Sequence, residues 1–525
     1  MKQKFKRTLF PFHPLLFAIF PAVSILSGNL HILSPADIIF PIFLFVVLAV
    51  CLWLGLFFVF RDIIKTGLIT SLSLFLFFSY GHISSIIYDI FFQETTFKEH
   101  LILLTIFFGL LILISLYIIK SKHSLHNASS IINIVAISSL LVPIVIIGSY
   151  FPEQDFSIRE ENMIDTNYLG NNINTAQLPD IYLIVLDSYT NEKILNDLFN
   201  FDNSDFVSFL SSKKFFITDN SFSHYHTSFL SIASMLNMEY INNLTNDVGE
   251  NSKNRYLAYK MIDQNTAMKI AKSKGYVTVN IDSGWEATRH ISAADLNLCG
   301  KNQFLNSQTI VMIIRNSMLN PIYVKIFESD YRERISCTFS SISSLHQEIE
   351  QPVFVFAHIF LPHGPYYWGP NGEYYVPEQA TLEGFKKDKE GFTDQLQFTN
   401  KKTKQMITKI LNESKTSPII ILTSDHGTML SHENDSVTDD YIFERMSNIM
   451  YVHAPDNNDL FYDGMSYINL LRIIYNSYLA QNFSYLEDRY YFSDDEKPYR
   501  WMDVTEFLLK NKKINLLWLF FELRF

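Results

Sequence analysis

Five apolar stretches fill the first 150 residues, at about 9–28, 38–60, 67–88, 101–119 and 131–150. Each approaches the ~20 residues that a helix needs to cross a hydrocarbon core. This limits the fold severely, because a chain in lipid must satisfy its backbone hydrogen bonds internally. The stretches predict a five-helix transmembrane domain over residues 1–150. The first contains Pro11, Pro14 and Pro21 and is followed directly by another apolar segment, which fits an anchor rather than a cleavable signal. Basic residues set the orientation. Lys2, Lys4, Lys6, Arg7, Arg61, Lys65, Lys120 and Lys122 fall on one side of the predicted spans, and Lys98 on the other. The N-terminus is therefore expected in the cytoplasm and everything after Tyr150 outside it. His82 is read as the polar candidate inside a span, in a packed or interfacial position, while Asp37, Asp62 and Asp89 lie at segment ends. The expectation is an anchor that also helps hold lipid, not a transporter.

Charge divides the chain at the same place. Residues 1–150 carry nine Lys or Arg and five Asp or Glu, and the remainder carries 33 and 48. An acidic second part argues against a nucleic-acid partner, whose phosphates need basic surface. Of the three cysteines, Cys51 lies in an apolar segment, and Cys299 and Cys337 are available for one disulfide in an oxidising compartment.

Residues 151–179 are polar and without periodicity, and read as a linker. From Asp180 onward short apolar runs recur, at 181–186, 215–218, 276–281, 353–360, 419–423 and 448–452. Helical patterns stand between them, at 206–213, 257–274 and 395–412. Strands alternating with helices predict an α/β domain over 180–525, with a mostly parallel sheet flanked by helices. At its end Lys510–Lys513 leads into Ile514–Phe521, an amphipathic segment suited to the membrane interface or to packing on the domain.

Polar residues at the ends of these runs are the candidate site. Pro418–Gly427 reads P-I-I-I-L-T-S-D-H-G, a doubly buried strand stopping at Asp425 and His426, where open α/β sheets place their ligands. Asp187 ends the first run. Thr227 precedes Phe229, Ile232, Ala233 and Leu236, which have helical spacing, so its hydroxyl fits an N-cap. It equally fits a nucleophile in the positive potential of a helix start. In the run V-F-V-F-A-H-I-F-L-P-H-G-P, His363 sits between prolines just past the strand, a rigid polar exit that favours function. His358, on the strand, fits a core position as well as a functional one.

Strand-Asp187, Thr227 opening a helix, Pro-His363 after a strand, and strand-Asp425-His426-Gly427 together resemble, in order, the alkaline-phosphatase superfamily in its sulfatase-like membrane branch. The layout is similar to lipoteichoic acid synthases and phosphoethanolamine transferases, and nearly the whole chain takes part. The stretches F-E-R-M-S-N (443–448), L-E-D-R-Y-Y-F (486–492) and K-P-Y (497–499) look like a further group of bacterial sulfatase-like proteins.

This resemblance implies an alkaline-phosphatase-like fold in a bacterial plasma-membrane protein. Asp187, Thr227, Asp425 and His426 would hold one divalent metal, with Thr227 as nucleophile, and His363 would contact the phosphate or protonate the leaving group. Trp285 and Arg289 occupy a region that contacts substrate in relatives. An oxygen-rich set of this kind suits Mn²⁺ or Mg²⁺, and Zn²⁺ also fits. The implied activity moves a phospho-head group from a membrane lipid donor to an envelope glycan or lipid acceptor. The alternatives are hydrolysis of a phosphoester or phosphodiester at the same site, and an inactive envelope scaffold. Two departures narrow this. Thr227-Ser228-Phe229 lacks the Cys/Ser-Pro-Arg pattern of formylglycine sulfatases, which disfavours sulfate esters, and the lipoteichoic branch places Glu where this chain has Asp187.

Overall fold

The computed structural model describes residues 10–91, 97–150, 178–218, 221–300, 308–374, 388–429, 437–455 and 458–510. The predicted linker, apart from its last residues, and the predicted C-terminal amphipathic segment after Lys510 lie outside the described residues. The chain divides into two compact units. One comprises residues 1–156 and 301–330, and the other residues 157–300 and 331–525.

The first unit holds helices α1 (His13–Gly28), α2 (Ala36–Phe60), α3 (Ile63–Phe91), α4 (Phe97–Lys120) and α5 (His126–Tyr150). By length and composition α2 to α5 can each cross a membrane, while α1 is shorter, at 16 residues. Sequence reading passed over His13, which is fully buried. Its ring nitrogens meet Ser71 Oγ at 2.6 Å and Ser129 Oγ at 3.2 Å, so the polar group is satisfied within the bundle. His82 lines a cavity of about 300 Å³ beside Phe78 and Asn316. The helix Gln308–Arg315, from the predicted α/β region, belongs to this unit and buries Ile313 among Ala22, Leu26 and Leu140. The chain after it approaches so closely that a Cβ on Gly81 would lie 2.5 Å from Asn316 Cα. This segment carries a five-residue apolar run, Ile310 to Ile314, too short to read as a span.

The second unit is built on a seven-stranded sheet ordered β2-β9-β7-β1-β6-β4-β5. Its strands are β1 (Ile181–Leu186), β2 (Phe216–Ile217), β4 (Val277–Ile281), β5 (Leu296–Leu298), β6 (Val353–Ile359), β7 (Ile419–Thr423) and β9 (Met450–His453). β7, β1, β6, β4 and β5 are mutually parallel, and β9 runs antiparallel to β7. β3 (Ser221–Phe222) pairs with β8 (Ser447–Asn448), and β10 (Tyr491–Asp494) with β11 (Lys497–Asp503). Every residue of β1, β6 and β7 is buried, because both faces are covered. Ile181, Leu183, Phe354, Phe356, Ile419 and Ile421 join one core, and Tyr182, Ile184, Val355, Ile420 and Leu422 the other.

The predicted helix 257–274 is two helices, Tyr256–Asp263 and Thr266–Ser273. Asn265 breaks it by capping the second, its side chain accepting from the Met268 N–H at 2.9 Å. The disulfide open to Cys299 and Cys337 is formed.

Candidate metal and phosphoryl-transfer site

Strand parity brings the site together. Two residues beyond Val185, Asp187 leaves β1 on the face of Leu183. His358 lies on that same face of β6, after Phe356, and Asp425 follows Thr423 on that face of β7. β7, β1 and β6 are adjacent and parallel, so their carboxyl ends deliver the three side chains to one point. One ligand atom from each of Asp187, His358 and Asp425 falls within 4.8 Å of the others. His358 Nε2 lies 3.4 Å from Asp187 Oδ2 and 3.7 Å from Asp425 Oδ2. His426 Nε2 is 3.2 Å from Asp425 Oδ2 and 4.0 Å from Asp187 Oδ1. All four residues are buried.

The polar atoms at this point are unevenly satisfied. Asp425 Oδ1 accepts from the backbone N–H of Ser188 at 3.3 Å and of His426 at 3.0 Å. The first bond needs the left-handed turn at Ser188, whose φ is 62°. Asp425 Oδ2 and His358 Nε2, by contrast, have no hydrogen-bond partner among the described residues. Thr288 Oγ1 sits 3.1 Å from His358 Nδ1 and fixes the ring, leaving Nε2 turned to the carboxylates.

Charge is unbalanced as well. Burial and the nearby Asp187 push the Asp425 carboxyl up to about 6. Burial alone would also raise Asp187, but the imidazoles of His363, His358 and His426 outweigh it and hold it below the usual carboxylate range. Burial, then the charge of Arg445, drives His426 well below the usual imidazole value. Two buried carboxylates that resist sharing full charge, with unpartnered oxygen and imidazole donors aimed together, fit a divalent cation.

Thr227 is the N-cap of the helix Ser228–Asn237, with extended backbone (φ −117°, ψ 145°), and that helix buries Phe229, Ile232, Ala233 and Leu236 on the same core. Its hydroxyl makes no cap hydrogen bond. The Oγ1 atom is buried with no partner among the described residues. The next residue, Ser228, sets its own hydroxyl 3.0 Å from His426 Nε2. The hydroxyl therefore does not serve as a cap, and it stands buried at a helix start without a partner among the described residues.

The F-E-R-M-S-N stretch lies beneath the site. Arg445 is buried, its Nε donating to the His226 carbonyl at 2.8 Å and its Nη1 to the Gly427 carbonyl at 3.0 Å. It ties the residue before Thr227 to the residue after His426. Gly427 is required by close approach: a Cβ there would lie 2.2 Å from Glu444 O and 2.3 Å from Ser447 O.

The other predicted residues are placed less centrally. His363 is half-buried, its ring bonded to the Gly364 carbonyl, and the Gln395 amide holds its backbone carbonyl at 2.7 Å. Trp285 reaches the site through His358, ring to ring at 5.5 Å and 77°. Arg289 directs Nη2 to the Gly284 carbonyl at 2.6 Å. His358, which sequence reading left open, joins the cluster, and parity with Asp187 and Asp425 was the signal for it.

No protein-family profile matches the chain. No curated protein sequence matches it either. Among solved structures it aligns with the C-terminal periplasmic domain of EptC from Escherichia coli in complex with Zn, at TM-score 0.40 and 11% identity, covering 64% of this chain and 93% of that one. It aligns with the C-terminal periplasmic domain of the phosphoethanolamine transferase EptC from Campylobacter jejuni at TM-score 0.36 and 16% identity, covering 59% and 91%. The lipooligosaccharide phosphoethanolamine transferase A from Neisseria meningitidis aligns at TM-score 0.34 and 12% identity, covering 85% and 87%. Two of these are named for an activity that the motifs also resemble, but similarity this distant assigns none to this chain.

Proposed function

We propose that this chain is a membrane-anchored, metal-dependent phosphotransferase of the alkaline-phosphatase superfamily. It moves a phospho-head group from a lipid donor to an envelope glycan or lipid through a phospho-Thr227 intermediate. The observation that carries the reading is the free, buried Thr227 hydroxyl at a helix start, with Ser228 beside it on His426. Asp187, Asp425 and His426, with the Thr227 oxygen, would hold the cation, and His358 is a further ligand within reach. When bound, the cation supplies positive charge for the nonbridging phosphoryl oxygens and favours the threonine alkoxide. Mn²⁺ or Mg²⁺ suits the oxygen donors, and the imidazoles admit Zn²⁺.

In the first step the Thr227 oxygen bonds to phosphorus and its proton passes to solvent, the bond from phosphorus to the donor's alcohol oxygen breaks, and that alcohol takes a proton, for which His363 is the proposed donor. In the second step the acceptor oxygen bonds to phosphorus, the bond from phosphorus to the Thr227 oxygen breaks, the acceptor's proton returns to His363, and Thr227 regains a proton from solvent. The helix Ser228–Asn237 directs its N-terminal N–H groups toward the charge that develops. The five predicted spans and the disulfide between Cys299 and Cys337 fit a plasma-membrane protein whose α/β unit lies outside the cytoplasm.

The test is intact-mass analysis of the detergent-solubilised protein after exposure to phospholipid vesicles and divalent metal. An adduct on Thr227, absent from Thr227→Ala, is expected, and its mass gives the transferred group. Release of that group to water at the same rate with and without an acceptor would make the protein a hydrolase. A protein that never carries an adduct and turns over no phosphoester would be an inactive scaffold.

A further inference from the structure

A second cavity, of about 480 Å³, opens on the other side of the sheet, between the helices Asn320–Glu348 and Lys389–Glu413 and the turn Trp368–Tyr374. Its apolar walls are Phe339, Trp368, Phe398 and Met406, which pack with the core opposite to the one carrying Asp187 and His358. None of the residues that line it belongs to the metal cluster, and the volume lies within the range of small-molecule sites.

The chemistry of the lining is specific. Lys401, Lys402 and Lys409 contribute three ammonium groups, and among the described residues no Asp or Glu lines the cavity. In a region whose net charge is −15 such a concentration marks a place for an anion. Lys402 and Lys409 make no ion pair among the described residues, and Lys402 Nζ lies 5.7 Å from the centre of the Phe398 ring. Lys401 Nζ touches the Asn371 carbonyl at 3.5 Å.

Neutral polar groups surround the cations. Ser336, Ser340 and Ser343 line one helix, and Gln405 and Asn371 the opposing wall. Trp368 lies flat on Phe398, with ring centres 4.5 Å apart and planes at 7°, and the buried indole N–H has no acceptor among the described residues. The turn passes over the stack with Gly372 at φ +100°, where a Cβ would come 3.4 Å from the Phe398 ring, so that Phe398 is buried and Trp368 supplies the half-exposed aromatic face. Aromatic surface with hydroxyl and amide partners is what the alternating C–H faces and hydroxyls of a pyranose ring require. The ammonium groups add a demand for negative charge.

We propose that this cavity binds a negatively charged hexose, phosphorylated or carboxylated, as a free sugar or as one unit of a glycan. The assignment goes beyond phosphoryl transfer and holds whether or not Thr227 carries it out. Where the acceptor is a glycan, the cavity would grip a unit away from the one that reacts.

The experiment is isothermal titration of the full-length protein in detergent with glucose 6-phosphate, glucose and glycerol 3-phosphate. Glucose 6-phosphate is expected to saturate, with glucose and glycerol 3-phosphate at least tenfold weaker. The paired variant Lys402→Gln/Lys409→Gln should lose tenfold or more while keeping its melting temperature, and Trp368→Ala should also weaken binding. Asp425→Asn should bind as the wild type does, which separates this cavity from the metal site. Absence of saturation by about 10 mM would overturn the proposal, and so would equal binding of glycerol 3-phosphate, which would indicate a lipid headgroup or bare phosphate site. Binding lost in Asp425→Asn but kept in the lysine pair would overturn it too.

Discussion

At the scale of single residues, the site is a set of groups left unsatisfied on purpose of position, and each has a measurable consequence. Asp187 and Asp425 repel one another across a buried gap, so Asp425→Asn should stabilise the metal-free protein by on the order of 2 kcal/mol while abolishing the stabilisation that added metal gives the wild type. Melting curves in chelator and in Mn²⁺, Mg²⁺ or Zn²⁺ read both effects. A variant that melts lower without metal, or still gains from it, would remove the carboxylate pair from the cation site. Thr227→Ala should lower transfer by at least about 10³-fold and, because it removes one proposed oxygen ligand, weaken metal stabilisation without abolishing it. His224 offers a pH test away from the ligands. It is buried against Tyr240, Tyr467 and Tyr490 with neither ring nitrogen bonded among the described residues, and burial pushes it down to about 3. The unfolded chain takes up this proton near pH 6.5 and the folded one does not. Stability from this group is therefore complete above about pH 6.5 and falls by about 1.4 kcal/mol per pH unit below it. His224→Phe should make the wild-type and variant stability curves diverge as pH drops from 7 to 5, and parallel curves would contradict the assignment.

At the scale of elements, what the sequence revealed depended on how much of the physics was local. Continuous apolar runs announced β1, β6 and β7 because strands buried on both faces have no polar residues to interrupt them. Their polar ends marked Asp187, Asp425 and His426. His358 was ambiguous because its role depends on which strands are neighbours, a fact held in the order β7-β1-β6 and not in any one run. The strands of the β10–β11 hairpin interleave Asp494, Lys497, Arg500 and Asp503 with their apolar residues, and the helix break at Asn265 depended on one side-chain cap. Arg445 is the element-scale counterpart of His358. It was visible as part of a family-like stretch, but its function as a tie between two loops is a matter of packing. Arg445→Met should leave two carbonyls without their donors and let the loops bearing Thr227 and His426 separate. Metal affinity and turnover should fall together by about 10- to 100-fold, whereas a residue acting on substrate alone would spare metal affinity. Gly427→Ala should destabilise by about 3 kcal/mol or more, because both oxygens it meets belong to the backbone.

At the scale of the whole molecule, the disulfide joins two cysteines 38 residues apart in sequence. Cys299 and Cys337 both belong to the α/β unit, yet the residues 301–330 between them group with the membrane helices. Ser341 Oγ sits 3.4 Å from Cys299 Sγ on the same helix that carries Cys337. Closing a loop of this separation, 38 residues, removes conformational freedom from the unfolded chain worth about 3–4 kcal/mol. The paired variant Cys299→Ser/Cys337→Ser is expected to lose stability of that order without losing the metal site, since no ligand lies in the loop. The same bond reports topology. If the α/β unit lies outside the cytoplasm, both thiols in protein taken directly from cells should resist maleimide until a reductant is added, while Cys51, the free and exposed cysteine, reacts once detergent removes the lipid. Full labelling of Cys299 and Cys337 without reductant would place that unit in a reducing compartment. It would also contradict the orientation drawn from the basic residues, because the lipid donor and envelope acceptor of the proposed reaction require the site outside.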